Sequence, residues 1–144
     1  MSQLSLDKTD THEAERRILE QLWHAGRLQR HIEALERFYS TKRDEFRKLL
    51  KSKKDNDELV EIAKFLVIEN VIVDQLAETL DQMKEIESEI WIQGESGNYD
   101  RDQIALQWTE RYAQAWRQWR LKEYLFAIEQ MESERLAQCL QYAS

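Results

Sequence analysis

Residues 93–100 read Gln-Gly-Glu-Ser-Gly-Asn-Tyr-Asp, and they form the clearest interruption in a chain of 144 residues that contains no proline. Two of the three glycines of the chain, Gly94 and Gly97, lie in this stretch. Because proline and glycine are the strongest local breakers of a helix, the long segments on either side have little to stop them. The sequence therefore predicts an all-α fold, with Gly94 as the residue that follows the end of a helix.

The segment after this loop predicts a helix over residues 101–141. Asp100 and Gln103 have the spacing of a capping box, in which a short side chain accepts a hydrogen bond from the backbone three residues later. Apolar residues then recur at steps of three and four, which is the period of one helix face.

The segment before the loop predicts a helix over residues 56–92. Residues 65–73, FLVIENVIV, are apolar on nearly every side, and β-branched residues such as these favour a strand when they stand alone. Helical periodicity continues on both sides, so we expect a helix that is buried on more than one face. This helix is then either central in the fold or part of an oligomer interface. The self-association hypothesis rests on Phe65, Ile68 and Ile72.

The first helix is predicted over residues 11–52, after a flexible tail at residues 1–9. Gly26 costs about 1 kcal/mol inside a helix but need not end it. Ser40 and Thr41 mark a weaker point because both residues can cap a new helix, and the sequence leaves open whether the helix is continuous there.

The three predicted helices together indicate an antiparallel, coiled-coil-like three-helix bundle. Its connections are a polar turn near residue 54 and the glycine-containing loop, and short connections make sequence neighbours antiparallel. We expect residues 10–144 to form a single domain, which suits the length of the chain.

Composition excludes several classes of protein. Apolar residues make up 42% and charged residues 34%, which is too apolar for a disordered chain and too charged for a membrane protein. Residues 1–15 lack the basic start and apolar stretch of a secretory signal. Cys139 is the single cysteine, so no internal disulfide is possible. A cytoplasmic location is the expectation.

The net charge of −7 is unevenly distributed along the chain. Residues 1–54 are basic on balance, whereas residues 55–95 hold Lys64 and Lys84 against many acids. Such asymmetry can mark a partner surface or two parts of one molecule that pack on each other. Acids at positions 74, 78, 81, 85 and 89 form a ridge at helical spacing, for which a solvated face is the usual explanation.

An aromatic and arginine-rich cluster at residues 108–124 is the most unusual local feature. Interleaved aromatic and arginine side chains dominate the centres of protein interfaces and can also stack on nucleic-acid bases. The plainer alternative is a helical core with arginine stems packed along it. The partner-binding hypothesis comprises Trp108, Arg111, Tyr112, Trp116, Arg117, Trp119 and Arg120.

A basic segment at residues 37–54 supports the alternative function of a nucleic-acid-associated protein, together with the aromatic and arginine-rich cluster. Clustered lysine and arginine side chains attract phosphates, although the same charges also suit a solvated helix end that faces the acidic second helix. The basic patch comprises Arg37, Lys42, Arg43, Arg47, Lys48, Lys51, Lys53 and Lys54.

Signatures of catalysis and of metal or cofactor binding are absent from the sequence. It contains no glycine-rich phosphate loop, no nucleophile elbow and no pair of cysteines at CxxC spacing. His24 and His31 lie seven residues apart, which is too far for one metal ion on one helix. We expect no catalytic, metal or cofactor site. The first functional hypothesis is a small interaction protein, such as an adaptor, a chaperone-like binder or a regulator.

Overall fold

The computed structural model describes residues 2–42, 44, 45, 48, 56–70 and 72–131. Every regular element in these ranges is a helix, which confirms the all-α prediction. The predicted division into three long helices is wrong, because the described part already contains five. The helices are α1 (Ser2–His24), α2 (Gln29–Thr41), α3 (Asn56–Asn70), α4 (Gln75–Glu95) and α5 (Arg101–Gln130).

Gly26 ends α1, contrary to the expectation that the helix passes through it. Its φ of 73° lies in the left-handed region, which glycine adopts without steric cost. The N–H of Arg27 bonds to the carbonyl of Leu22, and the N–H of Gly26 bonds to that of Trp23. These two bonds define a Schellman motif with Gly26 directly after the helix end. A glycine inside an apolar stripe is therefore a true boundary here.

The same motif ends α4, but at Gly97 rather than at the predicted Gly94. Gly97 has a φ of 93°, and the N–H groups of Gly97 and Asn98 bond to the carbonyls of Gly94 and Gln93. The next helix begins as predicted, because the side chain of Asp100 accepts a hydrogen bond from the N–H of Gln103 at 3.2 Å. The loop of residues 96–100 turns the chain back, so α4 and α5 form an antiparallel hairpin.

A further break divides the predicted second helix between Asn70 and Gln75. The side-chain amide of Asn70 donates to the carbonyl of Leu66 at 2.7 Å and so occupies an acceptor at the end of α3. Asp74 then caps α4, since its carboxylate accepts from the N–H of Ala77 at 3.0 Å. The β-branched residues Ile72 and Val73 lie at this junction, outside both helices, where their low helix propensity costs nothing.

Three other helix ends can be compared with the predicted boundaries. The weak point at Ser40 and Thr41 is confirmed, because α2 ends at Thr41 and the N–H of Lys42 bonds back to the carbonyl of Tyr39. At the other end of the molecule, α5 ends at Gln130 and Met131 is extended. The remainder of the predicted third helix, residues 132–141, lies outside the described residues. α1 begins at Ser2, so residues 2–9, expected as a tail, are helical.

The core lies where the second half of α5 meets α2 and α3. α5 contacts each of the other four helices and is therefore the central element, whereas the sequence predicted that the second helix is either central or part of an oligomer interface. The C-terminal end of α5 takes this place because buried residues follow one another there on several sides of the helix. In α3, by contrast, Phe65 and Ile68 are each 50% exposed. The main core comprises Ile32, Ala34, Leu35, Phe38, Tyr39, Leu59, Ala63, Leu66, Val67, Tyr124, Ala127, Ile128 and Met131.

The first half of α5 belongs to a different structural environment. Ile104 and Trp108 are buried there, yet neither belongs to the main core or to the smaller cluster of Leu19, Leu28 and Phe126. This part of the molecule, which we call the distal hairpin, consists of α4 residues 86–95 and α5 residues 101–112. Within the described ranges, no helix is long and apolar enough to cross a membrane.

Candidate functional site

Three acids of the α4 ridge, Asp74, Glu78 and Asp81, face the interior of the molecule, whereas Glu85 is exposed. Asp74 lies 3.3 Å from Arg37 of α2, and Asp81 accepts hydrogen bonds from Arg30 of α2 at 2.8 Å and from Arg120 of α5 at 2.6 Å. The pairs made by Arg30 and Arg37 join the basic first part of the chain to the acidic second part. The uneven charge distribution therefore serves, at these positions, contacts within one molecule.

The opposite side of α4 is apolar and exposed. Leu76 is 69% exposed, Leu80 49%, Met83 54% and Trp91 67%. At 3.6 residues per turn these positions fall on one side of the helix, and we call them the outer stripe. The steps of three and four residues among the first three are also those of a stripe that faces a core. Periodicity shows that a helix has two faces, but it does not show which face the rest of the fold covers.

A buried polar cluster lies beneath the inner side of α4, centred on Arg120. The Arg120 side chain is 9% exposed, and it contacts Asp81 as above and Glu123, with Nε 3.3 Å from Oε1. Burial disfavours the charge on Asp81, but the hydrogen bond and charge of Arg120 outweigh it and lower the pKa of Asp81. The same contacts raise the pKa of Arg120 against its own burial. The cluster thus holds charged partners that stabilise each other.

Glu123 extends this cluster to α2 and to a tryptophan. Its Oε1 lies 3.0 Å from Nε2 of His31, and its Oε2 accepts a hydrogen bond from Nε1 of Trp119 at 3.1 Å. The His31 ring packs against Tyr124 with a centroid distance of 5.0 Å. Burial raises the pKa of Tyr124 to about 12, so its phenol is neutral at physiological pH. These contacts tie α2 to α5 through polar groups.

The structure divides the predicted aromatic and arginine-rich cluster between core and surface. Trp108 is buried in the distal hairpin and Arg120 in the polar cluster. Trp116 and Trp119 are partly buried, and the guanidinium of Arg120 lies 4.6 Å from the centre of the Trp116 ring, in a cation–π contact. The exposed members are Arg111, Tyr112 and Arg117.

The other predicted site residues lie apart from the polar cluster. Phe65 and Ile68 are half exposed on α3, while Ile72 is partly buried between α3 and α4. Of the basic patch, Arg37 pairs with Asp74, and Lys42 lies 3.7 Å from Glu45. Lys48 is exposed. Five further members lie outside the described residues, namely Arg43, Arg47, Lys51, Lys53 and Lys54.

Glu78 is the least compensated group on the inner side of α4. It is 4% exposed, and neither carboxylate oxygen has a hydrogen-bond partner in the described part of the chain. Burial raises the pKa of Glu78, and the positive charges of Arg120 and Arg117 offset this only in part. A buried acceptor without a partner costs about 1–3 kcal/mol. Glu78 therefore weakens the attachment of α4 to α5.

We expect Glu78→Met to raise the free energy of unfolding by about 1–3 kcal/mol near neutral pH, because it removes this uncompensated group at similar volume. A carboxyl whose pKa is raised in the folded state contributes stability below its unfolded pKa and loses it as the pH rises through the folded pKa. The gain should therefore be larger at about pH 7 than at about pH 4. Urea denaturation of both proteins at the two pH values measures it.

Glu87→Met is the matched control, since Glu87 is an exposed carboxylate on the same helix that pairs with Arg101 at 2.6 Å. It should change stability by less than about 1 kcal/mol. A loss of stability in Glu78→Met, or an equal gain at both pH values, would contradict the assignment of Glu78 as an uncompensated acid.

Comparisons with known proteins do not assign this chain to a family. No protein-family model, no curated protein sequence and no solved structure matches the chain. Across the described residues, no three histidine, cysteine, aspartate or glutamate side chains converge on a point where a metal ion would bind. The arrangement of the side chains is thus the basis for a functional proposal.

Proposed function

We propose that this chain is a protein-interaction module that binds an apolar helix of another protein along the outer stripe of α4. The observation that carries the proposal is the orientation of the first half of α4, which turns Asp74, Glu78 and Asp81 inward and Leu76, Leu80 and Met83 outward. Asp81 pairs with Arg120 in the polar cluster, whereas Leu76 is 69% exposed. A helix that buries its acids and exposes regularly spaced apolar residues gains free energy when a second protein covers the apolar side.

The spacing of the outer stripe suits recognition by a helix. Leu76, Leu80 and Met83 stand at positions i, i+4 and i+7, which is the spacing of the apolar seam that one helix presents to another. Burying one such side chain contributes about 1.5–3 kcal/mol. The exposed apolar surface continues with Trp91 of the distal hairpin and Tyr99 of the loop that follows α4. Several anchors are therefore available to offset the entropic cost of association.

The proposal also covers the mode of action and the location of the protein. The protein acts by binding rather than by catalysis, in the cytoplasm, as an adaptor, a chaperone-like binder or a regulator. Self-association through Phe65, Ile68 and Ile72 and nucleic-acid binding through the basic patch stay separate predictions. Arg37 and Arg120 make contacts within the molecule, which leaves them less available to phosphates.

The test is affinity capture from the native cell with quantitative mass spectrometry, comparing the wild-type chain with the double variant Leu80→Glu/Met83→Glu. Both positions are already exposed, so the variant should keep its helical content and melting temperature while burying a charge in any bound partner. We expect the enrichment of a specific partner to fall at least about tenfold.

Ile18→Glu is the matched control, because Ile18 is 47% exposed on α1 and lies outside the outer stripe. It should retain the partner at the wild-type level. If the double variant folds and captures the same proteins as the wild type, the outer stripe is not the binding surface.

A further inference from the structure

A cleft of about 470 Å³ lies between the junction of α1 with α2 and the middle of α5, on the side of the molecule where the polar cluster reaches the surface. Its size falls in the range of small-molecule sites, about 300–1,000 Å³. Leu22, Leu28, Trp116 and Trp119 supply apolar parts of its lining. A flat or apolar chemical group fits such walls.

Two charged side chains on this lining have no ion-pair partner among the described residues, Arg27 and Glu85. The other charges are matched: Arg30 and Arg120 share Asp81, and Glu123 contacts Arg120 and His31. One positive charge and one negative charge without an ion-pair partner in the described ranges therefore line the same cleft.

The start of α2 adds to the positive side of the cleft. Leu28 at the N-cap supplies no side-chain acceptor, and the first turn of α2 contains no acidic residue. The first N–H groups of a helix have no partner within it, and the helix dipole makes this end positive, so it favours a carboxylate. Arg27 directly precedes Leu28 at this end.

His31 lines the cleft but offers no free atom to a ligand. The residue is 4% exposed, its Nε2 is engaged by Glu123, and its Nδ1 is buried from solvent.

From these features we infer that the cleft binds a zwitterionic amino acid with an apolar or aromatic side chain. Arg27 and the start of α2 bind its carboxylate, Glu85 binds its ammonium group, and the tryptophan walls hold its side chain. This ligand class matches both free charges and the apolar walls at once. An organic anion alone leaves Glu85 unmatched, and an organic cation alone leaves Arg27 unmatched.

The test uses four probes that differ by one group each, namely L-phenylalanine, 3-phenylpropionate, 2-phenylethylamine and glycine. They present the whole ligand, the ligand without ammonium, without carboxylate and without ring. Isothermal titration with the full chain should give L-phenylalanine a Kd of about 1 mM or tighter, and each of the other probes at least about fivefold weaker binding.

Two variants assign the ends of the ligand. Arg27→Gln should weaken L-phenylalanine at least about fivefold and leave 2-phenylethylamine unchanged, because only the former carries a carboxylate. Glu85→Gln should weaken both of these probes and leave 3-phenylpropionate unchanged. Arg17→Gln and Glu110→Gln, exposed residues outside this cleft, are the matched controls and should bind as the wild type does.

Absence of saturable binding of L-phenylalanine at concentrations well above about 1 mM overturns the inference. So does equal binding of the four probes, or equal loss in the two variants and the two controls. The double variant Leu80→Glu/Met83→Glu should bind the probes normally, so the result here is independent of the outer stripe.

Discussion

Arg120→Ala is expected to lower the free energy of unfolding by about 3–5 kcal/mol, because it leaves the buried carboxylates of Asp81 and Glu123 without their main cation. The two carboxylate side chains are 12% and 13% exposed, so water cannot replace the guanidinium. The substitution also removes the cation that lies over the Trp116 ring. Denaturation in urea with a global fit of fluorescence and circular dichroism measures the loss.

Arg30→Ala provides a matched control on the same acceptor atom. Arg30 and Arg120 both donate to Oδ2 of Asp81, but the Arg30 side chain is 61% exposed. An exposed ion pair contributes about 0–1 kcal/mol, so Arg30→Ala should cost no more than that. Equal costs for the two alanine substitutions would show that burial does not set the strength of this cluster.

A double-mutant cycle separates the interaction from the cost of stranding a charge. Asp81→Ala leaves Arg120 with Glu123 as its carboxylate partner, and Arg120→Ala leaves Asp81 with the exposed Arg30, so each single loss includes a poorly compensated buried charge. The double variant should be less destabilised than the sum of the two single losses, by about 1–3 kcal/mol. Additive losses would contradict a direct interaction between the two side chains.

The sequence predicted the fold class and one loop correctly for a physical reason. Asp100 and Gln103 mark a helix start through local chemistry, which acts within a few residues and can be read from spacing. The prediction that the helix continues through Gly26 was wrong, because the sequence does not distinguish a glycine inside a helix from a glycine that follows its end. The difference is the left-handed φ of 73°, after which Leu28 packs in a buried cluster with Leu19 and Phe126.

The candidate surfaces were harder to predict, because they depend on which face of α4 the rest of the chain covers. The run that contains Leu80 and the run that contains Asp81 have the same helical period. Hydrophobicity favours burial of the first, yet Arg120 and Arg30 stand where α4 packs and bind the second. A pairing between residues 39 positions apart is a tertiary fact that no local pattern contains.

Trp108→Ala is expected to remove most of the stability of the distal hairpin. Trp108 is 7% exposed beside the fully buried Ile104, and truncation of a buried tryptophan costs about 3–5 kcal/mol. Neither residue contacts the main core cluster, so little else holds this part of the hairpin together in the described structure. Amide hydrogen exchange should show loss of protection at residues 86–95 and 101–112.

Amides in α2 and at the end of α5 should stay protected in the same variant, because Leu35 and Tyr124 pack in the main core. A segment with few buried apolar contacts opens at lower free energy than the core, and its opening leaves the core closed.

Tyr112→Ala is the matched control, since Tyr112 is 50% exposed and its ring centre lies 6.2 Å from that of Trp108. It should cost about 1 kcal/mol or less. Parallel loss of protection in α2 and in the distal hairpin of Trp108→Ala would instead show one cooperative unit. In that case the hairpin is held by contacts that reach the core, and the outer stripe of α4 rests on a surface as stable as the core itself.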